Sequence, residues 1–291
     1  MLKVVLPKGS LEKATFDLFA EADLSVIRSS DVEYSASIAD PRVESVKILR
    51  PQEIPIYVGE GLFDIGITGR DWIEETGSNV ISLGKLNYSK ATSRPIKVVL
   101  AVLASSDVNS VSELKSGLRV STEYPLLTEK FLKAKGIQAD IRLSYGATEA
   151  KIPDIADAVV EITETGRALK AAGLKVIEEI LVSHTELIAN PISYDDLEKR
   201  HAMEQLLTLL NGSLEARGKV LVKLNVDGGK LNDVLALLPS LKSPTISELS
   251  GGGAFAVETV VLKSSINILI PDLKDKGATD ILEIPLSKIV H

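Results

Sequence analysis

The sequence contains no cysteine and only three histidines among its 291 residues. The first absence excludes disulfides, thiolate metal sites and cysteine nucleophiles together. His184, His201 and His291 stand too far apart for a histidine metal cluster, so no resident transition metal is expected. No stretch approaches the roughly 18 uncharged residues that a membrane helix needs. The apolar run 4–7, after Lys3, is shorter than the roughly 7–15 residues of a signal-peptide core, so the chain is expected in the cytoplasm. Positive charge is also in deficit. Lys and Arg number 33 against 40 Asp and Glu, a net charge of −7, which argues against a long nucleic-acid partner, because that needs a basic surface to displace counterions. A small anion remains open, since a few backbone N–H groups can hold a phosphate whatever the net charge.

What is present is an ordinary globular composition, 45% hydrophobic and 25% charged, long enough for two or three compact units at about 100–200 residues each. Short β-branched runs at 4–6, 45–49, 64–68, 97–103, 118–121, 156–162 and 175–182 alternate with helical patterns such as 11–22 and 128–135. That alternation predicts α/β units with largely parallel sheets covered on both faces. The polar segment 87–95 reads as a hinge or interdomain crossing. A strand is expected at 186–189, then a long helix from Asp195 to about Arg217, with Ser193 as its cap and Met203, Leu206, Leu207, Leu210 and Leu214 as its apolar stripe.

From Lys219 the order becomes strand 220–225, helix 230–238, strand 245–249, strand 254–261, helix 263–276, strand 280–286. This is βαββαβ, the ferredoxin-like order. Glycines at 228–229, 251–253 and 277 mark the turns, so a separate C-terminal domain is expected.

The segment most suggestive of chemistry is 156–169, ADAVVEITETGRAL. A buried strand ends near Glu161 and passes through Thr163, Glu164, Thr165 and Gly166 into a helical pattern. Such a turn stacks N–H groups at a helix start, adds two hydroxyls and lets a glycine bring backbone close to a ligand, as a monophosphate cradle requires. Glu161 could accept from sugar hydroxyls. An ordinary capped strand-to-helix turn has the same pattern.

This segment resembles the phosphoribosyl-pyrophosphate loop of the ATP phosphoribosyltransferase family, the first enzymes of histidine biosynthesis. Further blocks fit in family order: LPKGSLEKATFDLF at 6–19, ILRPQEIPIYVGEGLFDIGITGRDWIEE at 48–75, RVSTEYPLLTEKFLKAKGI at 119–137, YGATEAKIPDIADAV at 145–159, LPSLKSPTISEL at 238–249 and LKDKGATDILEIPLSKIV at 273–290. The resemblance implies two α/β lobes like those of type II periplasmic binding proteins around a cleft, plus the regulatory domain of the long form. The first lobe would comprise 1–88 with about 183–212, the second 89–182, and the ferredoxin-like regulatory domain 213–291.

The implied reaction is attack by adenine N1 of ATP on C1 of phosphoribosyl pyrophosphate, with inversion and loss of pyrophosphate. Mg²⁺ would ride on the substrate pyrophosphate, histidine would inhibit, and dimers would build hexamers. Carried over by position, Thr163, Glu164, Thr165, Gly166, Arg167, Ala168 and Leu169 would hold the 5′-phosphate, Glu161 the ribose hydroxyls, with Asp157 supporting the strand. Lys8 would offset leaving-group charge, so Lys8 and Glu161 are the candidate catalytic residues. Lys8, Gly9, Ser10, Arg50, Asp71, Tyr124 and Glu149 fall around ATP, and Ser243 and Thr245 match the histidine-binding region. Three positions depart from the family pattern: Ser10 stands where many relatives have Arg, Ala168 where a hydroxyl is frequent, and Glu161 where Asp is common. The extra methylene of Glu161 moves its carboxylate by about 1.5 Å. A non-catalytic two-lobed binding or amino-acid-sensing protein is the alternative reading.

Overall fold

The structure, a computed structural model, describes residues 1–30, 32–88, 95–238 and 243–291. Most of the expected crossing at 87–95, and part of the block at 238–249, therefore lie outside the described residues. Two compact units are present, Met1–Leu210 and Asn211–His291.

The first unit holds two sheets, each the base of one α/β lobe. In the first lobe the strand order is Val26–Ile27, Ser35–Ile38, Val43–Leu49, Leu2–Pro7, Ile65–Gly69, Thr185–Ala189, Ile81–Leu86. Leu2–Pro7 pairs in parallel with Val43–Leu49 and Ile65–Gly69, whereas Thr185–Ala189 returns from far along the chain and pairs antiparallel. In the second lobe the order is Leu174–Ser183, Ile96–Leu103, Ala158–Thr163, Leu118–Thr122, Ala139–Leu143. Its three parallel strands are again flanked by an antiparallel one, Ile96–Leu103. Both lobes thus share a core of three parallel strands followed by an antiparallel one, the expected type II periplasmic-binding-protein arrangement, to which the first lobe adds Val26–Ile27 and Ser35–Ile38 as an antiparallel edge. Every residue of Ile65–Gly69 and Thr185–Ala189 is buried, the polar Thr68, Thr185 and Glu186 included, so neither strand shows the alternation of a one-sided sheet.

One local expectation is corrected. The long helix starts after Asp196, whose carboxylate accepts from the Glu198 and Lys199 amides at 2.9 and 3.1 Å, and spans Leu197–Ala216. Ser193 is not its cap. It lies in a separate short helix, Pro191–Asp195, capped by the Asn190 side chain, which accepts from the Ser193 N–H at 3.0 Å. Pro191 drives the difference, because its fixed φ and missing donor suit a first helical turn, so a helix begins there at once.

In the second unit the sheet runs Thr245–Glu248, Ala254–Leu262, Lys219–Asp227, Ala278–Pro285, all antiparallel, with helices Leu231–Leu235 and Ile266–Asp275. Alternate residues Val220, Val222, Leu224 and Val226 bury against Val234, Ile266, Leu269 and Leu273. This is the ferredoxin-like order expected from the sequence. Its first helix is shorter than the predicted 230–238: Gly228–Lys230 forms a 3₁₀ turn before it, and the helix ends at Leu235, where the Leu237 and Leu238 amides bond three residues back, to Val234 and Leu235, as a turn.

Candidate active-site cleft

A cleft of about 330 Å³ lies within the first unit, within the range of about 300–1,000 Å³ usual for small-molecule sites. Its walls are built where strands end. Lys8, Gly9 and Ser10 follow Leu2–Pro7, Arg50 and Gln52 follow Val43–Leu49, and Asp71 and Trp72 follow Ile65–Gly69. From the second lobe, Glu123 and Tyr124 follow Leu118–Thr122, and Thr163 and Glu164 close Ala158–Thr163. The carboxyl ends of parallel strands are where open α/β sheets bind ligands. The chain passes between the lobes through Ser183, His184 and Thr185, which also line the cleft.

Asp71 is the most constrained polar group. It is 2% exposed and sits in the first turn of helix Arg70–Thr76. Tyr124 donates its hydroxyl to Asp71 Oδ2 at 2.8 Å, and Ser183 donates to Oδ1 at 2.5 Å while accepting from the Asp71 N–H at 3.0 Å. Burial pushes the Asp71 carboxyl above its usual range despite these bonds. The Tyr124 hydroxyl is raised by burial and by the neighbouring Asp71 charge. Trp72 stacks on Tyr124, with ring centroids 4.5 Å apart and planes tilted by 33°. Opposite, the Lys8 ammonium stands 4.0 Å over the Tyr34 ring, so Lys8 and Arg50 bring positive charge to a cleft that also holds Asp71, Glu123 and Glu164. His184 is held below its usual pKa by burial and the Lys85 charge, which favours a neutral imidazole.

The predicted phosphate loop divides. Thr163 and Glu164 line the cleft. Gly166 adopts φ +73° ahead of helix Arg167–Ala171 and donates its N–H to Thr163 Oγ1 at 2.7 Å. Thr165, Arg167 and Ala168 are exposed beside it. Leu169 is buried with Val99, Ala101, Val159 and Leu174 and anchors the short helix. Glu149 lies in the 3₁₀ turn Thr148–Lys151 and Glu161 on the strand Ala158–Thr163, both in the second lobe. There the Glu161 carboxyl is raised by burial and by Glu123 and Glu149, against hydrogen bonds from the Ile162 amide and Thr148. Asp157 lies at the other end of the same strand, where it accepts from the Arg119 amide at 2.8 Å and pairs with its guanidinium at 2.7 Å.

Ser243 is exposed, and Thr245 opens the exposed edge strand of the second unit. Among the described residues no group of three or more His, Asp or Glu side chains is arranged to hold a metal ion, and no helix is long and apolar enough to cross a membrane.

Sequence reasoning missed Trp72, Glu123, Ser183, His184 and Thr185. Trp72 and Glu123 sit beside nominated residues in GRDW and TEYP, so a signal existed. Ser183–Thr185 carried none, because only the return of the chain between lobes brings them to the cleft.

The sequence matches the family profile described as ATP phosphoribosyltransferase over residues 50–212 and that of the HisG C-terminal domain over 216–288. It is 46% identical to an ATP phosphoribosyltransferase of Pelotomaculum thermopropionicum, covering 99% of each chain. To one of Chlorobium phaeobacteroides it is 43% identical, covering 100% of this chain and 98% of the relative. Among solved structures, the ATP phosphoribosyl transferase (HisG:HisZ) complex from Thermotoga maritima superposes with a TM-score of 0.62 at 27% identity, covering 72% of this chain and 97% of that one. Full-length likeness above 40% identity, together with two family profiles matched in order, establishes that the chain belongs to the ATP phosphoribosyltransferase family.

Proposed function

We propose that the cleft transfers the 5-phosphoribosyl group of phosphoribosyl pyrophosphate to N1 of ATP. The N1 lone pair forms the bond to C1 with inversion. The C1–oxygen bond breaks, and pyrophosphate leaves with the electron pair. Adenine N1 is a weak neutral nucleophile, so the barrier falls mainly through alignment and through stabilising charge on the leaving group. The amides at the start of helix Arg167–Ala171, which have no intrahelical acceptor, would take the 5′-phosphate with Thr163, Glu164 and Thr165. Gly166 shapes the turn, Glu161 serves the ribose hydroxyls, and Asp157 holds the strand through Arg119. Lys8 would neutralise departing pyrophosphate. Gly9, Ser10, Arg50, Asp71, Tyr124 and Glu149 would hold ATP. Mg²⁺ enters as part of the substrate, bound to pyrophosphate oxygens, with water completing its shell.

The observation that carries this reading is the meeting of Lys8 from one lobe with the turn at Thr163–Glu164 from the other across a single cleft. We read the lobes as 1–88 with 183–212 and 89–182. The unit from about 213 onward would bind histidine near Ser243 and Thr245 and inhibit the transferase, in a homo-oligomer of dimers reaching a hexamer, in the cytoplasm and at the first step of histidine biosynthesis. A pyrophosphate-release assay with ATP and phosphoribosyl pyrophosphate tests the core claim. Release dependent on both substrates is expected, and binding of either without release would overturn it.

A further inference from the structure

Helix Arg70–Thr76 follows a strand of the first lobe, yet its side chains grip the second. Asp71 accepts from the Tyr124 hydroxyl at 2.8 Å. One turn further on, Glu75 accepts from the amides of Leu126 and Leu127 at 3.1 and 2.8 Å. Those amides open the second-lobe helix Pro125–Ala134, whose N-cap residue, Tyr124, makes no side-chain cap of its own. Between the two carboxylates, Trp72 stacks on Tyr124 and packs against the second-lobe core.

A helix start needs acceptors for its first N–H groups, and a local Ser, Thr or Asp ordinarily supplies one. Here the acceptor comes from another lobe as a carboxylate only 8% exposed. Burying a charge is costly unless its hydrogen bonds are made; the two amides and the positive end of the helix dipole offset part of that cost, while burial still holds the Glu75 carboxyl above its usual range. The arrangement fixes Tyr124 and Glu123, which line the cleft, against Asp71 across the lobe boundary. Glu75 itself does not line the cleft.

We infer that Glu75 is a positioning residue for the transfer reaction: by capping the second-lobe helix from the first lobe, it holds Tyr124 and Glu123 in register with Asp71. The inference rests on the proposed reading of the cleft as the ATP site.

Trp72 is the only tryptophan of the chain, so its emission reports this contact directly. In Glu75→Gln the side chain keeps its shape but offers one acceptor oxygen for two amides. Its Trp72 emission should shift to the red, and the KM for ATP should rise about tenfold, equivalent to about 1.4 kcal/mol, with kcat within about twofold. Asp17→Asn, on an exposed first-lobe carboxylate that pairs with Lys13, should change neither. If the Gln variant does not fold, Glu75→Asp replaces it and should give the same two changes. Unchanged emission, an emission shift without a KM rise, or a fall in kcat alone would each overturn the inference. Failure of the unmodified protein to release pyrophosphate would instead strike the reading of the cleft, and the emission comparison would still judge the lobe contact.

Discussion

Asp71 lays its carboxylate over Gly69. A Cβ built on Gly69 would fall inside van der Waals contact of Asp71 Oδ1 and would stand 3.2 Å from its Cγ and 3.3 Å from the Ser183 hydroxyl. The Gly69 backbone is extended, with φ −84°, so lack of space, not dihedral strain, excludes a side chain. Gly69→Ala must therefore push Asp71 away from Tyr124 and Ser183. Overpacking of this kind costs about 1–3 kcal/mol. We expect that loss in urea unfolding, together with a raised KM for ATP; an unchanged KM would mean that Asp71 can move without consequence for binding.

The sequence made the α/β units and the βαββαβ unit legible because their strands are short β-branched runs separated by helical periodicity and glycine turns, whereas their grouping into two lobes came with the family resemblance. Proline chemistry was misread at 191–196, where a first-turn Pro after Asn190 starts a helix that a Ser-based capping pattern hides. For the cleft, residues inside contiguous blocks were visible, as with Lys8, Asp71 and Tyr124. What stayed hidden depends on chain segments distant in sequence: Ser183 reaches Asp71 across 112 positions, and the amides of Leu126 and Leu127 reach Glu75 across 51 and 52. No local pattern encodes a capping carboxylate supplied from another lobe.

Asp64 predicts an acid limb of stability. Burial pushes its carboxyl up, but hydrogen bonds from Lys199, the Lys3 amide and Ser193, with the Lys199 charge, bring it below the ordinary value. The partners stand at 2.7, 2.7 and 2.6 Å. Because the folded value lies below the unfolded one, this contribution is complete above the ordinary Asp value of about 3.9 and disappears as pH falls through the folded value. Asp64→Asn should cost about 2 kcal/mol at pH 7, the scale of hydrogen bonds to a charged group. Urea unfolding of both proteins should show the gap closing below about pH 4; a constant gap would refute the charge-based origin.

Gly166 tests the phosphate turn. Its φ of +73° costs an L-residue about 1–2 kcal/mol, although open space surrounds a Cβ there. Gly166→Val should re-form the turn and raise the KM for phosphoribosyl pyrophosphate at least about tenfold, the effect of about 1.4 kcal/mol, while the KM for ATP changes little. Equal changes in both constants would point to a general loss of fold, and unchanged kinetics would remove this turn from the site.

Lys8 separates leaving-group stabilisation from binding. Its ammonium rests over the exposed ring of Tyr34, so Lys8→Met should leave the circular dichroism spectrum and melting temperature nearly unchanged. Loss of a charge that acts on departing pyrophosphate should lower kcat on the order of 100-fold, as removal of an oxyanion donor does elsewhere. A rise in KM at constant kcat would assign Lys8 to ground-state binding alone.

The proposed histidine inhibition acts through the second unit. Ser243 and Thr245 are exposed at the entry to the edge strand Thr245–Glu248, where a hydroxyl can meet an amino-acid ligand without disturbing the core formed by Val220, Val222, Leu224 and Val226. Inhibition requires histidine to bind one state of the protein more tightly than another, and the coupling usually amounts to about 1–3 kcal/mol. Thr245→Ala should raise the histidine concentration for half-inhibition by about 2-fold to 13-fold, the loss of one hydroxyl hydrogen bond of about 0.5–1.5 kcal/mol, and leave uninhibited kcat and both KM values intact. Isothermal titration of histidine alongside the rate assay distinguishes two failures. Weakened binding with unchanged inhibition would place the effector elsewhere, and unchanged binding with lost inhibition would show that Thr245 transmits the signal without touching the ligand.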